Sequence, residues 1–151
     1  MAAWRKVCCA VDFSTCSEEA LARAAELARR LEAQLVLLHV QVDDDADALW
    51  PHPEVHQSEL DRREAMAADW GRQASVIRGQ VVDKAVVRAR HMPEAIASFA
   101  AREGCELIVV GTHGRQGMRR LLLGSVAEKI VRIAPCSVLI VRPAKDAPER
   151  R

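Results

Sequence analysis

The 151-residue chain has no tyrosine, two phenylalanines and three tryptophans, too few rings to build a base-stacking platform for single-stranded nucleic acid. Charge does not make up for that lack. Twenty-two Lys and Arg against 21 Asp and Glu leave a formal net charge of +1, so neither nucleic acid nor an acidic membrane surface is attracted over distance. No apolar run approaches the roughly 18 residues that span a bilayer. The stretch between Lys6 and Asp12 is also too short for a secretory core, and a cytoplasmic location is expected. Cys8, Cys9, Cys16, Cys105 and Cys136 are odd in number and contain no Cys-x-x-Cys pair, which argues against a disulfide framework or a zinc site. Reduced thiols are expected, with redox sensing at Cys16 or Cys136 as the lesser alternative. Two phosphate loops are missing as well: Gly-x4-Gly-Lys-Ser/Thr and Gly-x-Gly-x-x-Gly.

What is present is half hydrophobic and arranged in short runs, enough for one core in one domain over 1–151. Positions 6–11 predict a strand closed by Asp12, with Ser14, Thr15 and Ser17 as candidate helix caps and Thr15 and Glu18 at capping-box spacing. Leu21, Ala24, Leu27, Ala28 and Leu31 then repeat at helical spacing. Positions 35–40 form a near-continuous apolar run without alternation, the pattern of a strand covered on both faces. The Asp-, Pro- and His-rich segment 43–58 predicts a surface loop, and 59–77 a helix through Leu60, Met66 and Trp70. A strand over 84–89 follows, then a helix with Pro93 in its first turn that stops near Gly104. Strands over 107–110 and 137–141 flank a helix from Ser125 to about Ile133, ended by Pro135. Residues 144–151 are expected to be a frayed tail. Alternating strands and helices imply an α/β fold with a parallel sheet covered on both faces.

Chemistry concentrates after 107–110. The loop opens Gly111-Thr112-His113-Gly114, nine residues intervene, and Gly124-Ser125-Val126 starts the next helix. Glycine lets main chain approach an anion closely, and the helix end adds unpaired N–H groups and a positive dipole. Arg115, Arg119 and Arg120 lie in the spacer, where a charge-assisted phosphate contact suits them as well as plain solvation does. His52 and His56 follow an acidic stretch, but Pro51 and Pro53 disturb any helix that would align them, so no metal site is expected there.

Through this loop, through 7–14 and 37–40, and through 135–143, the chain resembles the universal stress protein family. It is most similar to the subclass that carries Gly-x2-Gly-x9-Gly-Ser/Thr. The resemblance implies a single Rossmann-like three-layer sandwich with five parallel strands in the order 3-2-1-4-5 and about four helices. It also implies ATP as ligand, with Mg2+ or Mn2+ bound through the phosphates. In that pattern Asp12 meets the ribose, Ala10 and Val11 lie beside the adenine, and the main chain of Val40 reads the adenine edge. Gly111 and Gly114 line the ribose and phosphate path, with Arg115 near it, while Gly124, Ser125 and Val126 meet the phosphates.

The implied role is a nucleotide-dependent regulator in stress response, paired as a homodimer through the last strand from Cys136 to Val141. Efficient catalysis is not expected, because no residue is placed by spacing to activate water, and at most weak ATP hydrolysis remains. A nucleotide-free interaction module is the other reading. A phosphorylated receiver is disfavoured, since His91-Met92-Pro93 and Arg142-Pro143 stand where it needs an acceptor Asp and a Lys. Two departures from the family pattern are His91, at a position often glycine, and Ala127, where some relatives carry a hydroxyl for phosphate. Asp12 and Ser125 also suit helix caps, and the glycines suit turns.

Overall fold

The central strands of this protein are short and largely apolar, and strands alternate along the chain with segments of helical periodicity. The computed structural model describes residues 4–42, 65–66, 68–70, 73, 76–77, 82–113 and 123–143. The strands are β1 (Lys6–Ala10), β2 (Gln34–Val42), β3 (Asp83–Ala89), β4 (Leu107–Gly111) and β5 (Ser137–Val141). The helices are α1 (Thr15–Leu31), α2 (Met92–Arg102) and α3 (Ser125–Ile133). The described residues between 65 and 77 are helical too and supply the fourth expected helix. All strands pair in parallel in the order β3-β2-β1-β4-β5, as the family resemblance implied.

The apolar runs are unbroken because both faces of the sheet are covered. Side chains alternate sides along a strand, so Cys9, Leu35, Leu37 and Val109 pack with Leu21, Ala24 and Ala28 of α1 and with Ile77. Cys8, Val36, Leu38 and Ile108 pack on the other side with Ile96 and Phe99 of α2 and Ile130 of α3. The neighbouring cysteines thus serve two cores, as small apolar residues. Burial pushes the Cys9 thiol up to about 12. A hydrogen bond with Cys105, then burial, pushes Cys8 well up.

Helix ends follow their local chemistry, with one correction. Ser14, not Thr15, caps α1: its backbone is extended and its hydroxyl accepts the Ser17 N–H at 3.2 Å. The cap therefore sits one residue before the predicted capping box, because Asp12 holds Ser14 in place. Gly104 adopts φ +65 just past α2, where the sequence placed the stop. Ala134 is extended before Pro135, as the proline ring requires, and ends α3. Glu94 of α2 pairs with Lys129 of α3, and that hydrogen bond holds the Glu94 carboxyl below its ordinary value. Among the described residues no helix is long and apolar enough to cross a membrane.

Order reverses between β1 and β4, since the chain leaves β1 toward β2 and β3 and returns to β4 on the other side. Such a switch opens a crevice beyond the carboxyl ends of the two strands.

Candidate functional site

Beyond β1 the chain must turn sharply to enter α1, and Asp12 organises that turn. Its Oδ1 accepts the Ser14 N–H at 3.0 Å and the Ser14 hydroxyl, while its own N–H donates to the Ser17 hydroxyl at 3.2 Å. Asp12 is thus not the helix cap that the sequence also allowed: its side chain closes a turn onto Ser14, which caps α1. Phe13 follows in the left-handed region at φ 63, a conformation that costs an aromatic residue energy and needs support from its surroundings. That support is visible. The Phe13 ring lies 4.6 Å from the His39 ring and meets Trp70 edge-on at 5.1 Å.

Ala10 ends β1, and Val11, buried beyond it, donates its N–H to the Leu38 carbonyl at 2.8 Å. Leu38 therefore turns its main-chain groups toward β1, and Val40, two residues on, turns its own the same way. Val40 lies above the point where β1 has ended. Its side chain is buried in the core with α2 and α3, so only its main chain can serve the crevice.

On the β4 side, Gly111 ends the strand against the first turn of α1. A Cβ there would stand 2.7 Å from the Cys16 Sγ and 3.1 Å from the Cys16 carbonyl oxygen. Thr112 is buried and donates its N–H to the Val141 carbonyl at 3.0 Å. Its hydroxyl lies 3.0 Å from His113 Nδ1 and 3.7 Å from Cys16 Sγ, and His113 Nε2 is buried without a partner among the described residues.

Gly124 donates its N–H to the Thr112 carbonyl at 2.8 Å, which brings the start of α3 back to the end of β4. As N-cap it offers no side chain, and no side-chain hydrogen bond caps α3. Among the described residues the first turn, with exposed Ser125 and part-buried Val126, thus has no side-chain cap for its amides. Helix α1 is capped internally by Ser14, whereas α2 and α3 both lack a side-chain cap; what sets α3 apart is the tie of Gly124 to Thr112 at the end of β4. Glu128, the acid of that turn, is held by Arg132 at 2.8 Å. Ala127 packs into the core, so the side chain at this position faces away from any phosphate role in this fold.

Of the sequence-derived residues, Ala10, Val11, Asp12, Val40, Gly111, Gly124, Ser125 and Val126 gather around the reversal between β1 and β4. Gly114, Arg115, Arg119, Arg120, His52, His56 and the acidic stretch before them lie outside the described residues. Sequence reasoning gave His39 and Phe13 no role in the site and offered Ser17 only as a helix cap. The signal for His39 was a polar residue inside a buried apolar strand, Leu37-Leu38-His39-Val40. The open hollow lined by Lys6, Asp83 and Glu103, about 360 Å³, lies at the amino ends of the strands, opposite the crevice. Its mixed charges include a Lys6–Glu103 pair at 3.3 Å.

The profile of the Universal stress protein family matches residues 3–142. The chain is 30% identical to universal stress protein MJ0531 of Methanocaldococcus jannaschii, over 94% of this chain and 84% of that one. Among solved structures it is similar to universal stress protein UspA from Lactobacillus plantarum. The TM-score is 0.76 and the identity 28%, over 94% of this chain and all (100%) of the other. A universal stress protein in complex with cAMP shares the fold at TM-score 0.67 and 22% identity, over 95% of this chain and 100% of that one. One from Archaeoglobus fulgidus in complex with dAMP does so at 0.62 and 20%, over 92% and 98%.

Proposed function

The chain belongs to the universal stress protein family, and on that premise we propose that it binds ATP and acts as a nucleotide-dependent regulator in stress response. The observation that carries this reading is the uncapped N-terminus of α3, tied by Gly124 to the end of β4 beside the crevice. Anions bind such helix ends through free N–H groups and the dipole. The cAMP and dAMP complexes of proteins that share the fold support an adenine nucleotide over other anions.

In this assignment Gly124, Ser125 and Val126 hold the phosphates, with Gly114 and Arg115 in the loop between. Gly111 lines the path, Asp12 meets the ribose, Ala10 and Val11 flank the base, and the Val40 main chain reads its edge. Mg2+ or Mn2+ would neutralise phosphate charge and would reach the protein through the nucleotide. In this reading the chain changes partner or conformation with occupancy, with at most weak ATP hydrolysis. Exposed Leu139 on edge strand β5, with exposed Val131 and Ile133 on α3, supports pairing of two copies along 136–141.

The test is calorimetric titration of Mg-ATP into the parent and into Ser125→Asp. An acid in the first turn favours the helix, so the variant stays folded, while its charge repels phosphate. Saturable binding by the parent and its loss in the variant are expected. An absence of binding by the nucleotide-free parent at millimolar ATP would overturn the proposal in favour of a nucleotide-free interaction module.

A further inference from the structure

The parallel ladder between β1 and β2 sets which main-chain groups should pair where β1 ends. Cys9 is in register with Leu37, so Val11 falls opposite His39. A residue in a parallel ladder donates to the position before its register partner and accepts from the position after it. Val11 obeys the first half, donating to the Leu38 carbonyl at 2.8 Å. The second half would give the Val11 carbonyl to the Val40 N–H. Among the described residues that bond is not made, and His39 Nδ1 lies 2.9 Å from the Val11 oxygen instead.

A carbonyl oxygen only accepts, so Nδ1 must carry the proton and donate. His39 also does not turn freely, because the Phe13 ring packs on it at 4.6 Å and Phe13 is itself held edge-on by Trp70 at 5.1 Å. The left-handed turn at Phe13 carries the chain away from β2 directly after Asp12. Three features therefore act together: β1 stops, its last free carbonyl is taken by a side chain, and the Val40 amide is left facing the crevice.

We propose that His39 is a positioning residue that occupies the Val11 carbonyl and so keeps the main-chain donor and acceptor of Val40 open for a planar base edge. The ligand part rests on the nucleotide reading above. A donor beside an acceptor on Val40 matches adenine, which presents N1 as acceptor next to an N6 amino donor. Hypoxanthine presents the reverse, an N1–H next to the O6 acceptor, and is excluded by the same pair. His39 itself touches no part of the base in this scheme.

Two measurements test the proposal, and the first needs no ligand. Amide hydrogen exchange is followed by NMR on the full chain for the parent, His39→Ala and His39→Asn, with Val36 and Leu37 as internal references for folding. Removing the imidazole frees the Val11 carbonyl for the ladder bond, so the Val40 amide of His39→Ala should become about tenfold or more better protected. In His39→Asn the side-chain N–H takes the place of Nδ1–H, and parent-like exchange is expected. Equal protection of Val40 in the parent and His39→Ala would overturn the proposal whatever the protein binds.

The second measurement is the affinity ratio of ATP to ITP. It should favour ATP in the parent and His39→Asn, and fall about tenfold in His39→Ala, the worth of one hydrogen bond near the top of its range. An unchanged ratio in His39→Ala would overturn the base-edge role. A parent that binds neither nucleotide defeats the proposed function, and the exchange experiment then decides the role of His39 alone.

Discussion

Gly124 and Thr112 meet main chain to main chain: the Gly124 N–H donates to the Thr112 carbonyl at 2.8 Å, and a Cβ on Gly124 would stand 2.7 Å from the same oxygen. Gly124 has an ordinary φ of −61, so its need for glycine is steric and not torsional. The glycine to which we assign a phosphate contact is thus also the one that lets α3 dock on β4. Gly124→Ala should lower stability by about 1–3 kcal/mol, the cost of forcing an atom into close-packed surroundings. Urea unfolding checks it, and a midpoint unchanged from the parent would show that α3 can dock without glycine.

Gly111 faces a similar obstacle with a softer wall. Its nearest neighbour is the Cys16 Sγ at 2.7 Å, with the Cys16 carbonyl oxygen behind at 3.1 Å. Gly111→Ala is expected to destabilise the protein, and Cys16→Ala in the same chain should return part of that loss. A double-mutant cycle should report a favourable coupling of at least about 0.5 kcal/mol. Strict additivity would mean that the carbonyl, not the thiol, sets the cost.

The frame of the α1 cap can be read from two alanine variants. Ser14→Ala removes the acceptor of the Ser17 N–H and a donor to Asp12, and should cost about 1 kcal/mol. Thr15→Ala touches an exposed first-turn residue and should stay within about 0.5 kcal/mol of the parent. The reverse order in thermal unfolding would restore the capping box that the spacing of Thr15 and Glu18 predicts.

Alkaline pH should expose the buried thiols. Cys9 titrates near 9.0 when unfolded and is pushed up to about 12 by burial, so the native state keeps a proton that the unfolded chain has lost. The stability this contributes is complete below about 9 and is lost as pH rises toward about 12. Cys8 and Cys136 are raised too and act in the same direction. Unfolding free energies measured across that range should fall more steeply in the parent than in Cys9→Ala, by about one proton. Parallel slopes for the two proteins would contradict it.

Much of this architecture was legible because the central strands are mostly apolar runs and the helices carry their own periodicity. Leu35 to Leu38 read as a strand buried on both faces, and the two cores that divide them confirm it residue by residue. Boundaries were less legible. β2 runs on to Val42, past the apolar run, because the β3 ladder pairs Gln41 with Arg88 and Val42 with Ala89. Backbone pairing holds a strand after its hydrophobic pattern has ended. The α1 cap moved to Ser14 because the Asp12 carboxylate chose between adjacent hydroxyl residues whose local propensities are nearly equal.

Composition, periodicity and the glycine spacing were enough to specify a parallel α/β sheet and to mark the loop after β4, since these depend on local pattern and on which residue types lack a Cβ. The division of labour within the crevice needed the folded chain. Gly111 and Gly124 answer to Cys16 and Thr112, and His39 answers to Val11, partners 95, 12 and 28 residues away by their numbering. Contacts of that kind leave no periodic trace, because they arise only when parallel pairing brings the ends of β1, β2 and β4 to one edge of the sheet.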